Sequence, residues 1–152
     1  MSHQGETDMK VTLSYTGGET GASWEAISTS GHSLTIDGSP GIGGRDLGPR
    51  PMELLLAGTA GCTAMDVLSI LRKKRQAVTD CQIEISGERR EEPPTVFTKI
   101  HIHFIVSGRG LQARAVERAI ELSHTKYCPA YTMMSETAEM SSSYELRDSA
   151  EG

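Results

Sequence analysis

Residues 51–75 read PMELLLAGTAGCTAMDVLSILRKKR. Pro51 suits the first position of a helix, where its missing N–H costs nothing, and only Gly58 and Gly61 interrupt the helix formers that follow. The spacing predicts one helix from Met52 to about Arg75. Leu54, Leu55, Leu56, Ala57, Ala60, Ala64, Met65, Val67 and Leu68 cover most of its circumference, the pattern of a helix buried on most sides. Arg72, Lys73, Lys74 and Arg75 lie where cations oppose the negative end of the macrodipole, and read as a solvated helix end.

Ahead of this helix, KVTLSYT (10–16), SWEAIST (23–29) and HSLTIDG (32–38) alternate apolar and polar residues at short spacing. They predict an antiparallel three-stranded meander. GSPGIGGRDLGPRP (38–51) has turn chemistry throughout and no periodicity, so it reads as a long loop, a kind of segment that is commonly functional. Behind the helix, DCQIEISGER (80–89) and TVFTKIHIHFIVSG (95–108) read as two strands. In the second, Ile100, Ile102, Phe104 and Val106 share one face. LQARAVERAIELSHTKY (111–127) has amphipathic helical spacing, CPAYTMM (128–134) a short turn or helix with Pro129 in its first turn, and AEMSSSYELRD (138–148) a closing strand.

The chain of 152 residues carries a formal net charge of −5, which argues against a nucleic-acid partner. No apolar run is long enough to span a bilayer, so no membrane partner is expected. The polar start MSHQGETDMK lacks the apolar segment of a secretory signal. A cytoplasmic location is expected, where three cysteines are not expected to build a structural disulfide framework. The expected organisation is a disordered tail over 1–9, a single domain over 10–148 and a frayed end over 149–152.

Of the cysteines, Cys81 shares the apolar phase of Ile83 and Ile85 and reads as a small core residue. Cys62 lies on a stripe of small and polar residues, Gly58, Thr59, Asp66 and Ser69, with Met65 one turn away. Such a stripe on a greasy helix faces either a close-packed element or a pocket. Gly58, Thr59, Met65 and Asp66 are the candidate pocket-lining residues. Cys128 begins a new turn just before Pro129, where free N–H groups favour the thiolate; a buried structural thiol is the alternative. His101 and His103 alternate on one strand, but no Cys or carboxylate stands near them at zinc spacing, so they read as the outer side of a sheet.

These segments together resemble the OsmC/Ohr family, in particular its YhfA-like branch. The likeness covers roughly residues 49–147. It rests on Pro51-Met-Glu-Leu-Leu55, Gly61-Cys-Thr-Ala64, Ser69-Ile-Leu71 and Lys126-Tyr-Cys128 at this spacing. The resemblance implies an α+β fold, with antiparallel sheets packed on a long buried central helix, in an intertwined homodimer. It implies that Cys62 is the peroxide-reactive thiol and Cys128 the thiol that resolves it. The substrate would be a hydroperoxide, organic by preference, and the reductant an external dithiol, with no cofactor and no metal.

One position departs from the family pattern. Peroxidase members carry a Glu ten residues before the helix cysteine, paired with an Arg from the N-terminal region; here that position is Met52. No arginine precedes Arg45, so Arg45, Arg50 and Glu53 become the candidate activating or supporting residues. At about 100° per residue Glu53 points away from Cys62 and suits the helix N-terminus instead. Met52 favours an alternative, a redox-sensing or small-molecule-binding homodimer without fast turnover. A third reading is a metal site made by Cys62, Cys128 and His124.

Overall fold

A computed structural model describes residues 8–149. The chain packs as two compact units, one up to Leu55 and one from Leu56 onward. Most of the two expected disordered ends lies outside the described residues. At the C-terminal end of the described residues, the Ser149 N–H donates to the Gly108 carbonyl at 3.0 Å and its hydroxyl receives that of Thr79 at 2.9 Å.

In the first unit, β1 (Val11–Tyr15), β2 (Trp24–Ser28) and β3 (Ser33–Ile36) form the antiparallel meander that the alternation predicts. Leu13 and Leu34 flank Ala26 in register from either side. Ala26 is buried, whereas Val11, Leu13, Trp24, Ile27 and Leu34 stay exposed. The loop that follows is organised by Asp37, which the sequence reading passed over. Its carboxylate accepts the N–H groups of Gly38, Arg45 and Leu47 at 2.7, 2.9 and 3.2 Å. The Arg45 N–H leads in holding that carboxyl below the ordinary range, against the opposing effect of burial. Backbone crosses backbone closely here: a Cβ on Gly44 would lie 1.7 Å from the Gly38 oxygen, and one on Gly48 2.1 Å from that of Thr35. Only glycine fits such approaches.

Helix α1 runs from Pro51 to Lys73. Its burial differs from expectation. One stripe, Thr59, Thr63, Val67 and Leu71, is buried at four-residue spacing, while Leu55 is 46% and Met65 76% exposed. Apolar residue types on all sides do not bury a helix; packing partners do, and within one chain only one side has them. By length and composition α1 could also cross a bilayer. This corrects the expectation that no apolar run is long enough to span a bilayer: glycine, threonine and Asp66 divide the helix sequence without lowering its average hydropathy much.

In the second unit, β4 (Ala77–Arg89) and β5 (Phe97–Arg109) pair antiparallel. The chain then passes through α2 (Ala113–Leu122), a π-helical turn over Ser123–Tyr127 and α3 (Pro129–Ser135) before β6 (Glu139–Asp148). The fold is α+β as expected, but β6 lies parallel to β5 rather than antiparallel. The helical crossover brings the chain back to the starting end of β5, so β6 runs the same way. Ile100, Ile102, Phe104 and Val106 on β5 are almost wholly buried, and Val116 and Ala119 on α2 completely so. Cys81, Ile83 and Ile85 face Val106, Phe104 and Ile102 in register.

Candidate functional site

Cys62 sits in the middle of α1, partly accessible, and Cys128 caps the N-terminus of α3, 1% exposed. They lie 66 residues apart in sequence, and the second unit brings their sulfurs together. The two free thiols lie close enough for Cys128 to influence Cys62, as does the Ala130 backbone N–H. Burial, first, and then Cys128 push the Cys62 thiol above its ordinary value, with the Asp66 carboxylate adding a smaller push. The Ala130 N–H works in the opposite direction and is outweighed.

The Cys128 sulfur receives two donors. Thr63, fully buried on α1, donates its hydroxyl at 3.3 Å, and the Tyr131 N–H donates at 3.3 Å from the first turn of α3. Local backbone geometry sets up that second contact. Cys128 is extended, at φ −84 and ψ 105, and Pro129 follows as the first helical residue, so the side chain of Cys128 lies over the free N–H groups of the turn. The Cys128 N–H bonds back to the Ser123 carbonyl at 2.8 Å, which closes the π-helical turn. One level away, the Ser123 hydroxyl donates to Asp66 Oδ2 at 3.0 Å.

His124 lies flat on Tyr131, with ring centroids 3.9 Å apart and planes 9° from parallel. Burial lowers its pKa from 6.5 to about 4, so the ring is neutral at physiological pH. Its Nε2 is buried without a hydrogen-bond partner among the described residues. A surface cavity of about 420 Å³ opens beside it, lined in part by Ile120, His124, Tyr131, Ser142 and Tyr144.

Of the residues singled out from sequence, Cys62, Cys128 and Asp66 meet in this cluster, and Thr59 is buried in the same stripe at 1% exposure. Met65 faces outward, beside Leu68, Ser69, Arg72 and Lys73. Gly58 is exposed, and a Cβ there would meet nothing within 4 Å among the described residues, so none of them demands glycine at that position. Arg45, Arg50 and Glu53 have partners within the first unit. Arg45 donates to the Thr20 hydroxyl at 3.0 Å, and Arg50 to Asp46 at 3.2 Å and the Gly48 carbonyl at 3.3 Å. Glu53 accepts the Arg50 N–H at 2.8 Å, the contact of a capping carboxylate at a helix start. The metal reading is not supported, since no three metal-binding side chains converge among the described residues. Cys81 is half-buried, and burial, then Asp80, raise its thiol. His101 and His103 bond to Ser141, Ser143 and Glu145 across the β5–β6 pair.

Sequence reasoning missed Thr63, Ser123 and Tyr131. Thr63 and Ser123 are ordinary small polar residues whose importance comes from a neighbour far along the chain. Tyr131 contributes a backbone group, which no residue type announces.

The family model described as OsmC-like protein matches residues 43–143. Protein YhfA of Escherichia coli K12 is 47% identical over 119 residues, 78% of this chain and 86% of its own length. A hypothetical protein from Aquifex aeolicus superposes with a TM-score of 0.80 at 30% identity, covering 93% of this chain and 97% of its own. The organic hydroperoxide resistance protein OhrB of Bacillus subtilis shares the fold, with a TM-score of 0.61 at 18% identity over 91% of this chain and 98% of its own. With a matched core that contains both thiols, the chain belongs to the OsmC-like family.

Proposed function

We propose that this protein is a thiol-dependent reductase of organic hydroperoxides. The observation that carries this reading is the proximity of two free thiols from distant parts of the chain. Cys62, the more accessible sulfur, attacks the distal peroxide oxygen; the O–O bond breaks, the alcohol leaves and Cys62 becomes a sulfenic acid. Cys128 attacks that sulfur, hydroxide leaves and a disulfide forms, which an external dithiol reopens. The name of the Bacillus subtilis relative supports the substrate class. The protein works as a homodimer in the reducing cytoplasm, with no nucleic-acid or membrane partner. The exposed apolar side chains of α1, Leu55 and Met65, support the dimer.

The test is mass spectrometry of the reduced protein, seconds after one equivalent of cumene hydroperoxide. A rapid Cys62–Cys128 disulfide with Cys81 still free is the expected result. Thiols that react no faster than free cysteine would overturn the reading. That outcome would favour the second reading, a redox-sensing or small-molecule-binding homodimer, for which the raised Cys62 thiol is the specific observation.

A further inference from the structure

The cavity of about 420 Å³ beside His124 takes no part in the thiol chemistry. Its size falls within the range of small-molecule sites, roughly 300–1,000 Å³. The aromatic rings of His124, Tyr131 and Tyr144 stand at its wall, together with the buried side chain of Ile120. The acidic side chains that line it are Glu117 and Glu121, and among the described residues neither lysine nor arginine does so. Glu121 is shared with Arg118 at 3.0 Å, whereas Glu117 accepts the Tyr144 hydroxyl at 2.5 Å. That neutral donor leaves the Glu117 charge in place. Burial lowers the His124 pKa to about 4, so the ring adds no positive charge to the wall. Most hydroxyls at the wall are committed. Tyr144 serves Glu117, Thr125 donates to the Glu121 carbonyl at 2.8 Å, and Ser143 lies between His101 and His103 at 2.8 and 2.7 Å. A ligand here meets aromatic carbon and negative charge, with few free hydrogen-bonding groups.

We propose that this cavity binds a small organic cation of the quaternary-ammonium kind. Glu117 supplies the countercharge, and the rings of His124, Tyr131 and Tyr144 supply an electron-rich wall. A methylated ammonium donates no hydrogen bonds, so it loses nothing where the wall hydroxyls are already committed. It is attracted both by aromatic rings and by a nearby carboxylate. A primary ammonium needs acceptors for its three protons in place of water. An anion would meet Glu117 and Glu121 at close range, and a neutral apolar molecule gains nothing from either. The stacked pair of His124 and Tyr131, 3.9 Å between centroids, fixes part of the wall before any ligand arrives. The Glu117 bond holds the Tyr144 phenol above its ordinary range, which keeps that ring neutral as well. The site lies wholly within the second unit, on α2, the π-helical turn, α3 and β6. It does not depend on the peroxidase reading.

The test is calorimetric titration of the full reduced chain with choline and with its neutral isostere, in which a tert-butyl group replaces the trimethylammonium group. Saturable millimolar binding of choline is expected, with the isostere about fivefold weaker or worse. Glu117→Gln keeps an acceptor for Tyr144 and removes the charge, and should weaken choline about threefold to fivefold. Tyr144→Leu should lose a similar factor, while Tyr144→Phe, which keeps the ring, should bind as well as wild type. On titration followed by NMR, the amide resonances of residues 117–125 and 142–144 should move together. Circular dichroism establishes that each variant is folded. Absence of saturable choline binding, or equal affinity for choline and its isostere, overturns the inference. So does a Glu117→Gln protein that binds as wild type, or an equal loss in Tyr144→Phe and Tyr144→Leu.

Discussion

The Ser123 hydroxyl donates to the Asp66 carboxylate at 3.0 Å, joining the π-helical turn to the same side of α1 that carries Cys62. The serine is fully buried, and the carboxylate it steadies is one of the groups that raise the Cys62 thiol. Asp66→Asn keeps an acceptor for Ser123 and removes the charge. Cys62 alkylation at pH 7 should therefore rise about twofold to threefold, since Asp66 is the smallest contributor. Ser123→Ala leaves the carboxylate without its donor, and should cost about 1–2 kcal/mol in urea unfolding.

Replacing the two thiols separately should give different outcomes. Cys62→Ser is expected to abolish peroxide consumption. Cys128→Ser is expected to prevent the disulfide and let Cys62 advance to the sulfinic acid under excess peroxide. Intact-mass analysis distinguishes these products, and equal consumption by wild type and Cys62→Ser would remove the catalytic assignment.

His124 gives the folded protein an acid sensitivity with a defined window. Its pKa is about 4 in the fold against an ordinary 6.5, so between those values the unfolded chain binds a proton that the folded chain does not. Stability is therefore fully present above about pH 6.5 and declines as pH falls toward 4. The decline should be on the order of 1–2 kcal/mol once solvent screening is allowed for. In His124→Phe, which keeps a ring against Tyr131, this part of the decline should be missing from denaturation curves taken at pH 7 and pH 4.5.

Asp37 acts in a lower window. Its carboxyl is held below the ordinary range, chiefly by the Arg45 N–H. The stabilisation is present above the ordinary carboxylate pKa and is lost as pH falls through the lowered value. Asp37→Ala should melt at a lower temperature than wild type at pH 7, and the gap should narrow toward pH 2.5.

The proposed dimer through α1 makes Met65 the informative position, because it is 76% exposed in the single chain. Met65→Glu should turn a sedimenting dimer into a monomer with an unchanged far-ultraviolet spectrum. A wild type that sediments as a monomer would rule out the dimer.

The elements were legible where a residue's own chemistry decides its place. Alternation found all six strands, Pro51 and Pro129 marked helix starts, and Cys81 keeps the phase of Ile83 and Ile85 on β4. Burial of α1 was overread, because hydropathy counts residue types and cannot supply the surface they pack on. The direction of β6 was not legible either, since alternation is the same in both directions and the crossover decides it. The π-helical turn continues the periodicity of α2 in sequence, so nothing local marked the change. Within the site, family resemblance paired Cys62 with Cys128. The donors that surround them depended on contacts such as Thr63 to Cys128, 65 residues apart, that no window of sequence contains.

The crossover that makes β6 parallel also carries Cys128, while Cys62 sits on α1 before the β4–β5 hairpin. A bond between them would therefore enclose both long strands and α2 in one covalent ring. Closing a ring of that size removes roughly 4 kcal/mol of freedom from the unfolded chain. The oxidised molecule would then resist heat and proteases better than the reduced one. Peroxide exposure would leave behind a population of spent but durable molecules, preserved until a reductant reaches them.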